Sequence, residues 1–142
     1  MDFDIRRLGP GDEEAVHAAR ALFDDPPERE ATQRFLAEPT HHLLVAYDGG
    51  ETPLGFVTGV ELTHPDKGTE MFIYELGVAD SARRRGVGAT LVQALAALAR
   101  EQGCYDMWVL ADADNPAARA TYARAGGREA SQPVLLEWDL GG

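Results

Sequence analysis

Apolar residues change their spacing repeatedly along this chain, and each change of period marks an element. Phe3 and Ile5 alternate with polar partners, which predicts a strand over Asp2–Leu8. Gly9-Pro10-Gly11 breaks it. Ala15, Val16, Ala19, Leu22 and Phe23 share one helical stripe, with Asp12 placed to cap it and Pro26-Pro27 to stop it. A second helix over Glu28–Ala37 can seat Pro27 at its first turn and ends before Pro39. Strands follow over His42–Tyr47, Leu54–Leu62 and Thr69–Val78, joined by the turn Asp48-Gly49-Gly50 and the loop His64–Gly68. Val87, Leu91, Leu95 and Leu98 return to a helical stripe that Gly103 closes. Tyr105–Leu110 reads as a strand. Asn115-Pro116 starts another helix, which runs to Arg124 or Ala125 and stops at Gly126-Gly127. Val134–Leu140 reads as a last strand. The order β-α-α-β-β-β-α-β-α-β predicts an α/β (α+β) fold, a mixed sheet flanked by helices. No repeat, low-complexity stretch or linker divides residues 1–142, so a single domain is expected.

Composition narrows the possibilities. Hydrophobic residues at 44% and charged residues at 26% are ordinary for a soluble globular chain. No apolar run approaches the roughly 20 residues of a membrane span. Met1-Asp2-Phe3-Asp4 is acidic and lacks the apolar region of a signal peptide. The one cysteine, Cys104, has no internal disulfide partner, and together these features point to the cytoplasm. His41-His42 has no third ligand at metal spacing, so no metal is expected and the pair reads as surface or strand-entry residues. Cys104 has no His nearby in sequence and reads as a structural thiol.

The net charge of −11 argues against nucleic acid as a partner. Its distribution says more. Arg83, Arg84 and Arg85 stand in a segment, 81–90, that contains no acid, whereas acids cluster elsewhere along the chain. An anionic ligand would enter at the arginines, and a cationic small molecule would be drawn to the remainder.

The arginines belong to a larger pattern. The strand ending Glu75-Leu76-Gly77-Val78 runs into Arg83-Arg84-Arg85-Gly86-Val87-Gly88-Ala89-Thr90, and a helix begins at once. Glycines let the backbone come close to a ligand. The unpaired N–H groups and the dipole of a helix start favour an anion, and a pyrophosphate suits that geometry. The Gly-Lys-Ser/Thr ending of a P-loop is absent, and two glycines do not make the G-x-G-x-x-G dinucleotide fingerprint. What remains, R-x-x-G-x-G after a strand, resembles the pyrophosphate loop of the GNAT superfamily of N-acetyltransferases. The resemblance implies a mostly antiparallel mixed sheet with splayed central strands that bind acetyl-CoA. It assigns Arg83 to Thr90 to the pyrophosphate, and the backbone of Leu76, Gly77 and Val78 to the pantetheine amides.

A second motif, Asn115 to Gly126, resembles the GNAT stretch Asn-x-x-Ala-x-x-x-Tyr-x-x-x-Gly. Asn115, Ala118 and Tyr122 fall on one helical face. In the family that face lies along the pantetheine arm, and the tyrosine hydroxyl reaches the thioester sulfur. A phenol there can protonate the departing thiolate. The acceptor amine also needs a base, since most alkylamines are protonated near pH 7. Glu75, a carboxylate within the apolar run Met71 to Val78, is the candidate, acting directly or through water.

Residues 70–78 also resemble the Glu-Ile-Tyr-Ile-Tyr-Asp-Leu-Ala-Val stretch of aminoglycoside 3-N-acetyltransferases of the gentamicin-resistance type. Ala111 to Ala117 is similar to their Ala-Asp-x-x-Asp-Asp-Pro-Ala, one residue shorter here. The resemblance implies that Glu70, Tyr74, Glu75, Asp112 and Asp114 hold a cationic acceptor, with acetylation at its 3-amino group and resistance to the antibiotic as the biological outcome. The base position holds Glu rather than Asp. Two rival readings are a GNAT enzyme for another amine, such as a polyamine or a peptide N-terminus, and a CoA-binding regulatory module without turnover. The presence of both Glu75 and Tyr122 weighs against the second. A homodimer is left open.

Overall fold

The computed structural model describes residues 2–141. Five strands form one sheet in the order β1-β2-β3-β4-β5. They are β1 (Asp4–Leu8), β2 (His41–Tyr47), β3 (Pro53–His64), β4 (Gly68–Val78) and β5 (Asp106–Trp108). The first three pairings are antiparallel, and β4 pairs with β5 in parallel. The helices are α1 (Glu13–Ala18), α2 (Arg29–Ala37), α3 (Val87–Glu101) and α4 (Pro116–Arg124). The expected mixed, mostly antiparallel sheet with flanking helices is therefore present.

Both faces of the sheet are covered. On one, Val87, Leu91, Leu95 and Leu98 of α3 pack against Leu54, Val57, Met71 and Ile73. On the other, Val16 and Leu36 of α1 and α2 pack against Leu43, Val45 and Phe56. Alternation along β2 and β3 divides the strands between these layers, as the period-2 pattern requires.

Several local expectations need correction. The first helix is shorter than its apolar stripe: α1 stops at Ala18 and a single 3-10 turn, Arg20–Leu22, follows. The chain breaks there so that Phe23 can stack on Phe56 of the sheet at 4.3 Å between ring centroids. Asp12 sits at the α1 N-cap but makes no cap bond, because its carboxylate accepts from Gly9 N at 2.8 Å instead. Of the two readings of His42, strand entry holds, since it is the second residue of β2, and surface does not. It is 1% exposed, accepts from Arg7 at Nδ1 (2.9 Å), and therefore carries its proton on Nε2, which donates to Glu61 at 2.6 Å.

The largest difference concerns Val134–Leu140. The period-2 pattern is real, but the segment forms no strand, since it has no ladder partner within the described residues. β5 is likewise cut to three residues, at the outer edge of the sheet.

Candidate active site

The central feature is where β4 loses its neighbour. Its ladder to β5 runs from Glu70↔Asp106 to Phe72↔Trp108 and ends there, while β4 continues to Val78 against β3 alone. Backbone groups on that side of residues 73–78 face a gap between diverging strands. A ligand with amide groups could pair with them as a substitute strand.

A bulge sits at the point of divergence. Thr58 pairs with Glu75 but Gly59 pairs with Ile73, so Tyr74 is an extra residue on β4. Bulges re-aim side chains. Here Ile73 stays in the core, Tyr74 is exposed, and Glu75 turns half-buried toward the gap. Thr58, only 3% exposed, fixes this geometry. Its hydroxyl accepts from Glu75 N at 3.0 Å and donates to Glu75 Oε1 at 3.3 Å.

Glu75 has no salt-bridge partner among the described residues. Burial pushes its pKa above the ordinary carboxylate value, the Thr58 hydrogen bond pulls it back, and the nearby charge of Asp24 raises it again. A carboxylate shifted this way is a better proton acceptor near neutral pH than a solvated one.

The gap opens into a cleft of about 450 Å³ lined by Tyr74, Glu75, Leu76 and Gly77 on one side and by Leu110, Ala111, Asp112, Asn115, Ala118 and Tyr122 on the other. Leu22, Asp24 and Phe56 complete the lining. Asn115, Ala118 and Tyr122 thus share a face of α4 turned to the cleft. Asn115 Oδ1 caps the helix by accepting from Ala118 N at 3.1 Å, which leaves its amide NH₂ as a donor. Gly126, at φ +102, and Gly127 close the other end in a Schellman turn, with Gly127 N donating to Tyr122 O at 2.9 Å. Tyr122 is therefore held on a helix fixed at both ends. Burial raises its pKa, so the phenol keeps its proton at neutral pH.

Beyond Val78, the Arg83–Arg85 loop leads into α3. Gly86 is the helix N-cap in the left-handed region, φ +78, with open space around its Cα. The first backbone helix bond is Thr90 N to Gly86 O, so the N–H groups before Thr90 have no intrahelical acceptor. The geometry fits a pyrophosphate. Two of the three arginines are already paired, Arg83 with Asp80 and Arg85 with Asp2. Arg84, itself at φ +67, has no ion-pair partner among the described residues. Gly88 also needs its lack of a side chain for packing. It is buried, and a Cβ there would stand 3.1 Å from Thr121 Cγ2, so it sets the close contact of α3 with α4.

Two expected acceptor residues fall elsewhere. Glu70 binds His64 across the β3–β4 hairpin, and five residues of extended strand, roughly 17 Å, separate it from Glu75. Asp114 is exposed and does not line the cleft. Two residues that sequence reasoning passed over do matter. Thr58 gave a faint signal as a polar side chain within the apolar run Leu54 to Val60; Asp24, in the loop after the first helix, gave none.

Known proteins resemble this chain in sequence and in fold. The L-2,4-diaminobutyric acid acetyltransferase of Streptomyces coelicolor (strain ATCC BAA-471 / A3(2) / M145) is 32% identical over 97 residues, 66% of this chain. The chain spans only 56% of that relative's length. The crystal structure of an aminoglycoside acetyltransferase, meta-AAC0020, from an uncultured soil metagenomic sample in complex with sisomicin superposes with a TM-score of 0.90. The identity is 22%, over 98% of this chain and 97% of that one. AAC(6')-Iy, in complex with the bisubstrate analog CoA-S-monomethyl-acetylneamine, superposes with a TM-score of 0.83 at 18% identity, over 98% and 99% of the two chains. At these identities the two structures establish the fold. A family model described as the Acetyltransferase (GNAT) family matches residues 12–127, most of the chain, and the protein belongs to that family.

Proposed function

We propose that this protein is an acetyl-CoA-dependent N-acetyltransferase acting on a primary amine of a cationic small molecule, and that the acceptor is an aminoglycoside. The observation that carries this reading is the placement of Glu75 and Tyr122 in one cleft, on elements that diverge from each other, beside a free β4 edge.

Acetyl-CoA supplies the acetyl group as an activated thioester. The β4 edge from Leu76 to Val78 would pair with its pantetheine amides, while the α3 N-terminus, Gly86 and Arg84 would hold the pyrophosphate. Asn115 and Ala118 would lie along the arm. Glu75 takes the proton from the acceptor ammonium, directly or through water, which frees the nitrogen lone pair for attack on the acetyl carbon. The carbon–sulfur bond breaks as the carbon–nitrogen bond forms. Tyr122 donates its proton to the departing sulfur and is reprotonated from solvent. The attacking nitrogen sheds a second proton as the amide forms, to Glu75 once that carboxylate has released the first to solvent. Starting from the ammonium, one proton ends on the thiol and one in solvent.

Asp112, Asp24 and Glu75 face the cleft with no basic residue among its lining groups, which suits a substrate bearing several ammonium groups. Within the aminoglycosides, the residue pattern at 70–78 favours the 3-amino group, whereas AAC(6')-Iy carries a different position in its name. The similarity to a diaminobutyric acid acetyltransferase supports a second acceptor, a small diamino acid. A thiol-release assay with acetyl-CoA separates these. Deoxystreptamine aminoglycosides should be turned over, and mass spectrometry with NMR of the product should place the acetyl group on the 3-amino nitrogen. Turnover of diaminobutyrate, spermidine or a peptide with none for any aminoglycoside would overturn the acceptor and leave the transferase reading. Resistance of a susceptible bacterium expressing the protein tests the biological outcome.

A further inference from the structure

We propose that Phe72 and Trp108 form an aromatic subsite that stacks on a ring of the acceptor other than the one carrying the reacting amine. The inference rests on the aminoglycoside reading above and adds a second point of contact to it. It starts from strand parity. Met71, Ile73, Met107 and Val109 turn to the α3 side, where they join or pack against its core cluster. Alternation sends Phe72 and Trp108 to the other face. They stand opposite each other in the β4–β5 ladder, with ring centroids 4.5 Å apart and planes at 34°.

That face carries α1 and α2, but their apolar layer ends at β3. Val16 and Leu36 cluster with Leu43, Val45, Tyr47 and Phe56, and no buried residue of β4 or β5 belongs to this cluster. The aromatic pair is left at the surface, with Trp108 36% exposed. The bulge extends the pair toward the chemistry. Tyr74, 68% exposed, is turned to the same face, its ring 6.0 Å from that of Phe72 and edge-on to it. Tyr74 also lines the cleft that holds Glu75, and so does Leu110, two residues past Trp108. The apolar shelf is therefore continuous with the cleft on both of the diverging strands.

The chemistry of the cleft decides what the shelf holds. Asp24, Glu75 and Asp112 line it and no basic side chain does, so the molecule that enters is cationic. An open-chain diamine has no flat surface to lay on aromatic rings. An amino sugar has a face of C–H bonds and ammonium groups beside it, and both are attracted to the negative face of an aromatic ring. Phe72 lies three residues along the strand from Glu75, no more than about 10 Å, within reach of a ring linked to the one that reacts. The shelf therefore favours a multi-ring aminoglycoside over a single-ring or open-chain amine.

The test compares kcat/KM in the thiol-release assay for gentamicin, a three-ring acceptor, and for 2-deoxystreptamine alone, in the parent and in Trp108→Ala. The variant should lose about tenfold or more on gentamicin, through KM, and no more than about twofold on deoxystreptamine. Trp108→Phe should keep most of the parent's preference. Should Trp108→Ala fail to fold, Trp108→Leu keeps apolar bulk without a ring and carries the same expectation. Damage to the β4–β5 ladder would lower both acceptors alike, so equal losses overturn the proposal, as does no loss on either. Binding is read apart from turnover. The chain has two tryptophans, so a Trp138→Phe protein reports Trp108 alone, and its emission with CoA bound should change saturably on titration with gentamicin. A parent that turns over no aminoglycoside overturns the acceptor reading. Trp108 emission that ignores gentamicin overturns the subsite, including the case in which another segment of the chain already covers the shelf.

Discussion

Strand β4 carries two glutamates, and the contrast between its two halves explains where function can reside. At Glu70 the strand is laddered on both sides, to β3 and to β5, and the carboxylate is bound to His64. At Glu75, past the bulge, β4 is laddered on one side only, and the carboxylate has a hydroxyl for company and no cation among the described residues. A glutamate that is paired and flanked by ladder serves structure. One left half-buried, uncompensated and beside unpaired backbone costs stability and keeps its capacity to take a proton. The difference is made by one extra residue, Tyr74, and by where β5 stops.

The contrast breaks most sharply at Glu75 itself. Glu75→Gln should lower kcat by about 10²- to 10⁴-fold, the scale of a positioned general base. It should also make the folded protein more stable at neutral pH. Because the folded pKa lies above the unfolded one, the ionised carboxylate weakens the fold increasingly as pH rises through the folded value. The melting temperature of the variant should exceed that of the parent at pH 7, and the gap should close below about pH 4, where both states are protonated. Equal melting temperatures across that range would show that Glu75 bears no burial cost.

Tyr122→Phe, across the cleft, should lower kcat by roughly 10²-fold with acetyl-CoA binding near normal, provided chemistry is rate-limiting. An unaltered kcat under that condition would reduce Tyr122 to packing. Gly86→Val tests the anion end of the unladdered half. The left-handed N-cap disfavours a β-branched residue, and acetyl-CoA affinity should fall about tenfold, ~1.4 kcal/mol. Calorimetry on the folded variant showing full affinity would remove the loop from the site. Gly88→Val is the less informative choice, because its side chain would meet Thr121 before any phosphate.

Thr58→Val should act more mildly. It removes the hydrogen bond that holds Glu75 down, so the acid limb of the activity profile should move to higher pH with kcat at its plateau falling only a few-fold. A limb that moved to lower pH would contradict the assigned role. Glu70→Gln, in the fully laddered half, should change kcat by less than about twofold at any pH. A large loss of acceptor affinity there would erase the distinction between the two halves.

Much of this was legible in the sequence because it rests on local signals. The glycines and arginines at 83–88, Asn115-Pro116 and the period of α3 each express backbone or capping chemistry within a few residues. Glu70 and Asp114 lie outside the cleft lining for a non-local reason: sequence proximity along a strand or loop does not say which groups meet across the sheet. The bulge at Tyr74 and its Thr58 lock involve a partner strand 17 residues away, so beyond the faint polar signal at Thr58 no local pattern announces them. The segment Val134–Leu140 shows the converse. Its alternation is unmistakable, but a strand exists only with a neighbour, and the segment has no ladder partner among the described residues.

The most direct test of the central claim is the pH dependence of kcat for the parent and for Glu75→Gln, measured with saturating acetyl-CoA and the best acceptor from the thiol-release screen. The account predicts that parent activity falls on the acid side through one group titrating above the ordinary glutamate range, and that this limb disappears in the variant along with most of the rate. An acid limb of the same midpoint in Glu75→Gln, at comparable kcat, would contradict the assignment of Glu75 as the base.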